Sequence, residues 1–230
     1  MLNETKTHEI TVDTVILTIK NTALQVLLVK REKEPFIGKW AIPGGYVRMS
    51  ENLEQAAVRV LKERTNVDNV YLEQLYTFGD PLRHPTSRVI TCVYFALVRY
   101  EDVKSMVSND GEVAWYPVDE MPALAFDHKE IIDYTRRRIR LSLRSCPVAY
   151  QLLKEKFTLT EMQKVYELIM GKELDKRNFR KKVLGTEGLI ELDEFTKASS
   201  KRPARLYQYK QLHTGDMKSF FIANANSEDL

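Results

Sequence analysis

Two stretches of this chain carry side chains suited to chemistry. In the first, Gly45-Tyr-Val-Arg-Met-Ser-Glu51 is followed, seven residues on, by Arg59-Val-Leu-Lys-Glu63-Arg64-Thr-Asn66-Val67. Carboxylates on adjacent turns of one helix can hold a divalent cation. Here Glu63 stands between Val60, which offers no oxygen, and the cation of Arg64, and alone it is a weak metal ligand. In the second stretch, Asp175-Lys-Arg-Asn-Phe-Arg-Lys-Lys-Val-Leu184 crowds basic and amide side chains onto a short segment. Arg and Asn are the types that read guanine and adenine edges bidentately in a major groove.

The elements that must position these groups follow from periodicity. Leu53, Ala56, Ala57, Val60 and Leu61 recur at i, i+3, i+4, i+7 and i+8, the stripe of an amphipathic helix. Asn52 with Gln55 resembles its capping box, and Asn66 can adopt the left-handed conformation at its end. His8–Ile19 and Leu24–Arg31 read as strands joined by Lys20-Asn-Thr-Ala, and the paired glycines after Trp40-Ala-Ile-Pro permit a sharp turn. Val70–Phe78, Val89–Arg99 and Val113–Val118 are further strands, with a polar, proline-bearing loop at 80–88. Lys129–Leu143 is helical, and its Arg136-Arg137-Arg138-x-Arg140 run reads as a solvated face or subunit contact, with nucleic-acid contact as the alternative.

The pattern breaks at Ser145-Cys146-Pro147, which divides a first domain, residues 1–146, from a second, 147–230. In the second, a capping box at Thr160-x-x-Gln163 opens a helix that runs to Met170 and ends at Gly171. Asp175 caps a helix Lys176–Leu184, with Phe179, Val183 and Leu184 inward and Lys176, Arg177, Asn178, Arg180, Lys181 and Lys182 outward. Leu189-Ile-Glu-Leu and Arg205-Leu-Tyr-Gln-Tyr form a hairpin whose loop carries Lys201 and Arg202. Helix, turn, helix and basic hairpin make a winged helix, with Arg177, Asn178 and Lys181 placed for bases. Lys182 and Arg180 suit phosphates, and Lys201, Arg202 and Arg205 form the wing.

Composition narrows the classes. Hydrophobic residues make up 43% and charged residues 29% of the 230, ordinary for a globular protein. No apolar run approaches the ~20 residues that cross a bilayer. The start Met1-Leu-Asn-Glu-Thr-Lys lacks an apolar signal core, so a cytoplasmic protein with no membrane partner is expected. Cys92 and Cys146 form no CxxC pair, and Cys92 reads as a small buried hydrophobe. Residues 1–146 hold 20 basic and 20 acidic side chains, so the net +3 resides in 147–230, with 15 and 12. A basic second module points to a polyanion partner.

The first stretch resembles the Nudix box, Gly-x5-Glu-x7-Arg-Glu-U-x-Glu-Glu-x-Gly-U, where U is a bulky aliphatic residue. Gly45, Glu51, Arg59, Leu61, Glu63 and Val67 match, whereas Val60, Arg64 and Asn66 replace Glu, Glu and Gly. In enzymes with this box the helix carboxylates hold divalent cations that activate water against a phosphoanhydride. Arg64 repels such a cation. The resemblance therefore implies a kept fold, lost hydrolysis and no required cofactor, with Mg²⁺ poorly held. Binding can outlast catalysis. Arg31, Arg83 and Arg88 are candidates for phosphates, Trp40 and Phe126 for ring stacking, Asp127 and His128 for polar orientation, with Gly44 and Gly45 completing the effector set.

Taken together, Lys39-Trp-Ala-Ile-Pro-Gly-Gly, the eroded box, Ala125-Phe-Asp-His, Lys176-Arg-Asn-Phe-Arg-Lys-Lys-Val and Lys201-Arg-Pro-Ala-Arg-Leu-Tyr resemble the Nudix-related transcriptional regulators of bacteria (NrtR-type) over residues 8–210. The resemblance implies an α+β chain: a Nudix fold, a mixed sheet between helices, followed by a winged helix-turn-helix domain. It also implies a homodimeric repressor of nicotinamide-dinucleotide biosynthesis or sugar-utilisation genes. That repressor would bind a palindromic double-stranded operator and release it when ADP-ribose or a related nucleotide or sugar binds. An active pyrophosphatase with a DNA-binding appendage, and a non-enzymatic interaction module, are the alternatives.

Overall fold

The computed structural model describes residues 8–68, 70, 72–104, 111–143, 148–186, 188–196 and 203–210. It divides into two compact units, 1–20 with 24–135, and 21–23 with 136–230. The domain boundary expected at 146/147, the wing residues Lys201 and Arg202, and the tail from Lys218 lie outside the described residues.

The first unit is built on a seven-stranded mixed sheet. Strands β1 (Glu9–Lys20), β2 (Ala23–Lys30), β3 (Trp40–Ala41), β4 (Gly44–Tyr46), β5 (Glu73–Phe78), β6 (Val89–Leu97) and β7 (Val113–Pro117) contribute. Its central path is β3-β2-β1-β6-β5, with β4 added to β1 and β7 to β2. β1 and β6 run parallel from Glu9↔Val89 to Leu17↔Leu97. Both are buried on both faces, which is why their sequences are near-continuous apolar runs rather than alternations. β5 starts at Glu73 rather than Val70 and lies at the end of that path.

Helix α1 (Leu53–Thr65) begins at the expected capping box, Asn52 with Gln55, and ends at Asn66, whose φ of 59° is the left-handed cap. Its stripe meets β1 and β6 in a cluster of Val12, Ala56, Ala57, Val60, Cys92 and Tyr94. Val60 is 2% exposed, so the residue that removed a metal ligand now fills the core. A short helix α2 (Tyr100–Val103) follows β6. Its four residues are too few for a helical period to register in sequence.

The two glycines at 44 and 45 make no turn. They lie in β4, opposite Asp13 and Val12 of β1, and what they provide is close approach. A Cβ on Gly44 would sit 1.8 Å from Asp13 Oδ1, and one on Gly45 3.0 Å from Val60 Cγ2. Helix α3 (His128–Ser142) starts one residue before the expected Lys129, and the two units divide within it, between Thr135 and Arg136.

The second unit has a 3₁₀ turn (Val148–Leu152), β8 (Lys156–Phe157), α4 (Leu159–Met170), α5 (Lys176–Leu184), β9 (Leu189–Phe195) and β10 (Arg205–Tyr209). Its sheet is ordered β8-β10-β9. The box that opens α4 is Thr158 with Glu161, not Thr160 with Gln163. The Glu161 carboxylate accepts from the Thr158 backbone N–H at 2.7 Å, while Gln163 is taken by Glu167 and the Leu174 carbonyl. Phe179 and Val183 of α5 are buried, with Phe179 edge-on to Tyr166. Leu184, expected to pack inward, is 52% exposed because the helix ends there, before Gly185.

Candidate functional site

The start of β1, the end of β2, β4, the C-terminal half of α1 and the 83–87 loop enclose a cleft of about 1000 Å³ in the first unit. Arg31, Gly44, Gly45, Arg83, Phe126 and His128 line it, as do Glu63 and Arg64 of α1. Trp40 and Arg88 are not among its lining residues. The Trp40 ring packs edge-on against Tyr116 at 5.1 Å, and Arg88 donates to the Asp80 carbonyl. Asp127 stands behind the wall, held by Arg83.

The floor is a buried polar cluster. Arg83 grips Asp127 with two hydrogen bonds of 2.9 and 2.8 Å and lies 3.7 Å from Asp13. Its guanidinium is thus committed to protein carboxylates. Burial is the main reason the Asp13 carboxyl is pushed up to about 6, opposed by its Thr91 hydrogen bond and by Arg83. Burial likewise pushes His128 down to about 3, so its ring is neutral. The Ile42 backbone N–H donates to His128 Nδ1 at 3.1 Å, which places the proton on Nε2, 4.0 Å from Asp13 Oδ1.

The wall is aromatic and cationic. Phe126 adopts φ 52°, uncommon for a non-glycine residue and costly by about 1–3 kcal/mol. Its ring stacks on His84 (5.1 Å between centroids, 17° between planes) and carries the Arg31 guanidinium 4.6 Å over it. Arg31 is steered there by donating to the Pro35 carbonyl at 2.8 Å and the Lys33 carbonyl at 3.3 Å. His84 holds the 83–87 loop, accepting at Nδ1 from the Ser87 N–H at 3.3 Å. It also lines the cleft. Its placement on Phe126, 42 residues away, leaves no sequence signal.

The box itself has changed occupation. Arg59 donates to Glu51 through Nε at 2.7 Å and through Nη2, and to Glu63 through Nη1 at 3.0 Å. Arg48 adds its backbone N–H to Glu51 at 2.8 Å and its guanidinium to Glu63 at 3.0 Å. The hydrogen bond from Arg59 is the main cause holding the Glu51 carboxyl at about 2. Arg64, 47% exposed at its side chain, approaches only as near as 3.7 Å to Glu32. Among the described residues no group of three or more His, Cys, Asp or Glu is arranged to hold a metal ion.

In the second unit, Lys176, Arg177, Asn178, Arg180, Lys181 and Lys182 are all exposed on α5. Asp175 Oδ1 accepts from the Asn178 N–H at 2.8 Å, fixing the N-terminal turn. Arg205 is differently placed. It pairs with Glu191 on the neighbouring strand and lies 5.2 Å over the Phe195 ring. Among the described residues no helix is long and apolar enough to cross a membrane.

Comparison with known proteins follows this division. Residues 9–135 match the NUDIX domain family and residues 149–209 the family described as NrtR DNA-binding winged helix domain. The chain is 34% identical over 203 residues to the ADPR responsive transcriptional repressor NtrR of Acinetobacter baylyi, covering 86% of this chain and 81% of that one. It superposes on Shewanella oneidensis NrtR, solved complexed with a 27mer DNA, with a TM-score of 0.77 and 36% identity over 87% and 93% of the two chains. The NUDIX domain of that Shewanella protein, solved complexed with ADP ribose, matches at 38% identity and TM-score 0.51 over 58% of this chain and 90% of that domain. Over 114 residues, 49% of this chain and 66% of the relative, it is 37% identical to an ADP-ribose pyrophosphatase of Methanocaldococcus jannaschii.

Proposed function

Because the chain belongs to the NrtR family of Nudix-fold transcriptional regulators, we propose that it is a repressor that binds a double-stranded operator and leaves it when ADP-ribose enters the cleft. The observation that carries this reading is the state of the box: both of its remaining acids, Glu51 and Glu63, are bound by arginines while the cleft keeps a ligand-sized volume. Such a site favours holding a pyrophosphate ligand over cleaving it. The α5 face supports the DNA half, since its exposed Arg, Asn and Lys side chains are the types that read base edges and phosphates. The protein acts as a homodimer on a palindrome, and effector binding shifts the population toward an arrangement that no longer spans both half-sites.

The effector contacts in this reading are Arg31, Phe126 and His84, all lining the cleft, with Arg83, Asp127 and His128 as the rigid floor beneath them. Trp40 and Arg88 belong to the scaffold around it. Glu63 is an arginine partner, not a metal ligand, and no cofactor is needed.

Fluorescence anisotropy of a labelled duplex, selected from random DNA, tests the proposal directly. ADP-ribose should lower the anisotropy toward that of free DNA, and ADP-ribose recovered afterwards should be intact in the presence of Mg²⁺ or Mn²⁺. The likeness to the pyrophosphatase gives the enzymatic reading its place. Brisk turnover in that assay would establish it, and selection without any enriched palindrome would sink the regulator.

A further inference from the structure

We propose that Arg64, with Arg31, supplies the positive charge against which this cleft holds a diphosphate, in place of the divalent cation of an active Nudix site. The inference rests on the reading that ADP-ribose occupies the cleft. A Nudix fold implies Mg²⁺ held by the box acids, and the residues here do not fit it. Val60 is buried apolar packing, and Glu51 and Glu63 are neutralised by Arg59 and Arg48. Arg64 itself places a guanidinium at a box position that calls for Glu.

Elimination leaves two guanidiniums for a ligand. Of the five arginines lining the cleft, Arg48 and Arg59 are paired with Glu51 and Glu63, and Arg83 with Asp127 and Asp13. Arg31 donates only to the neutral carbonyls of Lys33 and Pro35, so its charge stays unbalanced by any ion pair among the described residues. Among the described residues Arg64 has one loose ion pair, to Glu32 at 3.7 Å, with no hydrogen bond and with side chains 47% and 59% exposed, so a ligand phosphate can displace it. The two guanidiniums feel one another: after burial, Arg64 is the strongest influence lowering the Arg31 pKa. A diphosphate between them would relieve that repulsion and accept from both forks, a match that flexible Lys30 and Lys33 on the same rim make less well.

Isothermal titration with ADP-ribose and, separately, with inorganic pyrophosphate decides the matter, in EDTA and again in Mg²⁺. Wild-type affinity for ADP-ribose should be unchanged by Mg²⁺, and that for pyrophosphate, which Mg²⁺ chelates in solution, should not rise. Arg64→Gln should weaken both by about ten- to hundredfold, the loss of charged hydrogen bonds, while Arg64→Lys, which keeps the charge but not the fork, should fall between Arg64→Gln and wild type. Melting curves report whether a variant folds. If Arg64→Gln does not, Arg64→Lys against Arg64→Glu gives the same comparison. Wild-type affinity in Arg64→Gln, or binding that requires Mg²⁺, overturns the proposal and leaves the effector reading intact. A wild type that ignores ADP-ribose yet holds pyrophosphate through Arg64 does the reverse, and one that binds neither overturns both.

Discussion

Arg59 of α1 pairs with Glu51, eight residues earlier in the loop before the helix, and with Glu63 one turn onward. A fourth bond, from Nη2 to the Tyr46 carbonyl at 3.0 Å, ties the helix to β4. One arginine therefore fixes the loop, the strand and the helix that frame the cleft.

We predict that Arg59→Ala lowers unfolding free energy by about 1–2 kcal/mol in urea titrations at pH 7, since charged hydrogen bonds are lost at a part-exposed site. Arg48→Ala, whose side chain is 60% exposed, should cost less than about 1 kcal/mol. The pH dependence has a definite sign. Glu51 is depressed from 4.5 to about 2, so its contribution is complete above about pH 4.5 and is lost as pH falls toward 2. The gap between wild type and Arg59→Ala should close over that window, and a gap constant with pH would reject the assignment.

Gly44→Ala should destabilise the first unit by about 1–3 kcal/mol, because the new Cβ meets Asp13 Oδ1 at 1.8 Å and the Val12 carbonyl oxygen at 3.3 Å. Gly79→Ala meets nothing closer than 3.9 Å and should shift the urea midpoint little. Equal effects from the two would show that crowding at Asp13 is not what selects glycine.

His128 and Asp13 oppose one another on acidification. His128 is lowered from 6.5 to about 3, so its stabilising neutrality is present above pH 6.5 and lost as pH falls toward 3. Asp13 is raised from 3.8 to about 6, so its burial penalises folding as pH rises through that range and relents as pH falls. His128→Asn keeps an acceptor for the Ile42 N–H and removes the titration. Its stability should fall less than that of wild type between pH 6.5 and 4, measured by chemical denaturation. A parallel pair of curves would place the acid sensitivity elsewhere.

On α5, Arg177→Ala should weaken operator binding by ~1–3 kcal/mol and relax preference at one base pair. Lys182→Ala should weaken all duplexes alike and reduce the slope of log affinity against log salt by about 1. Titrations at several salt concentrations separate the two. An Arg177 effect that is equal on every sequence would reassign that residue to the phosphates.

Much of this was legible in residue order. The α1 stripe, its Asn52–Gln55 box and the left-handed Asn66 follow from local rules, as does Asp175 capping α5, because each involves partners within one or two turns. Where local signals competed, geometry chose: Thr158 with Glu161 caps α4 because Gln163 has nearer partners in Glu167 and Leu174. Leu184 looked internal by type and spacing, yet the helix ends before anything can cover it.

By itself, the sequence determined the two modules, the erosion of the box and the basic face of the second helix, since these depend on residue type at fixed spacing along one helix. Only the tertiary structure decided which charges remain for a ligand. Arg83 and Arg59 read like phosphate and box arginines, but acids brought from Asp13, Asp127 and Glu51 consume them. His84 meets Phe126 across 42 residues for the same reason. Charges and rings pair by distance in space, and the sheet, not the spacing of residues along the chain, sets those distances.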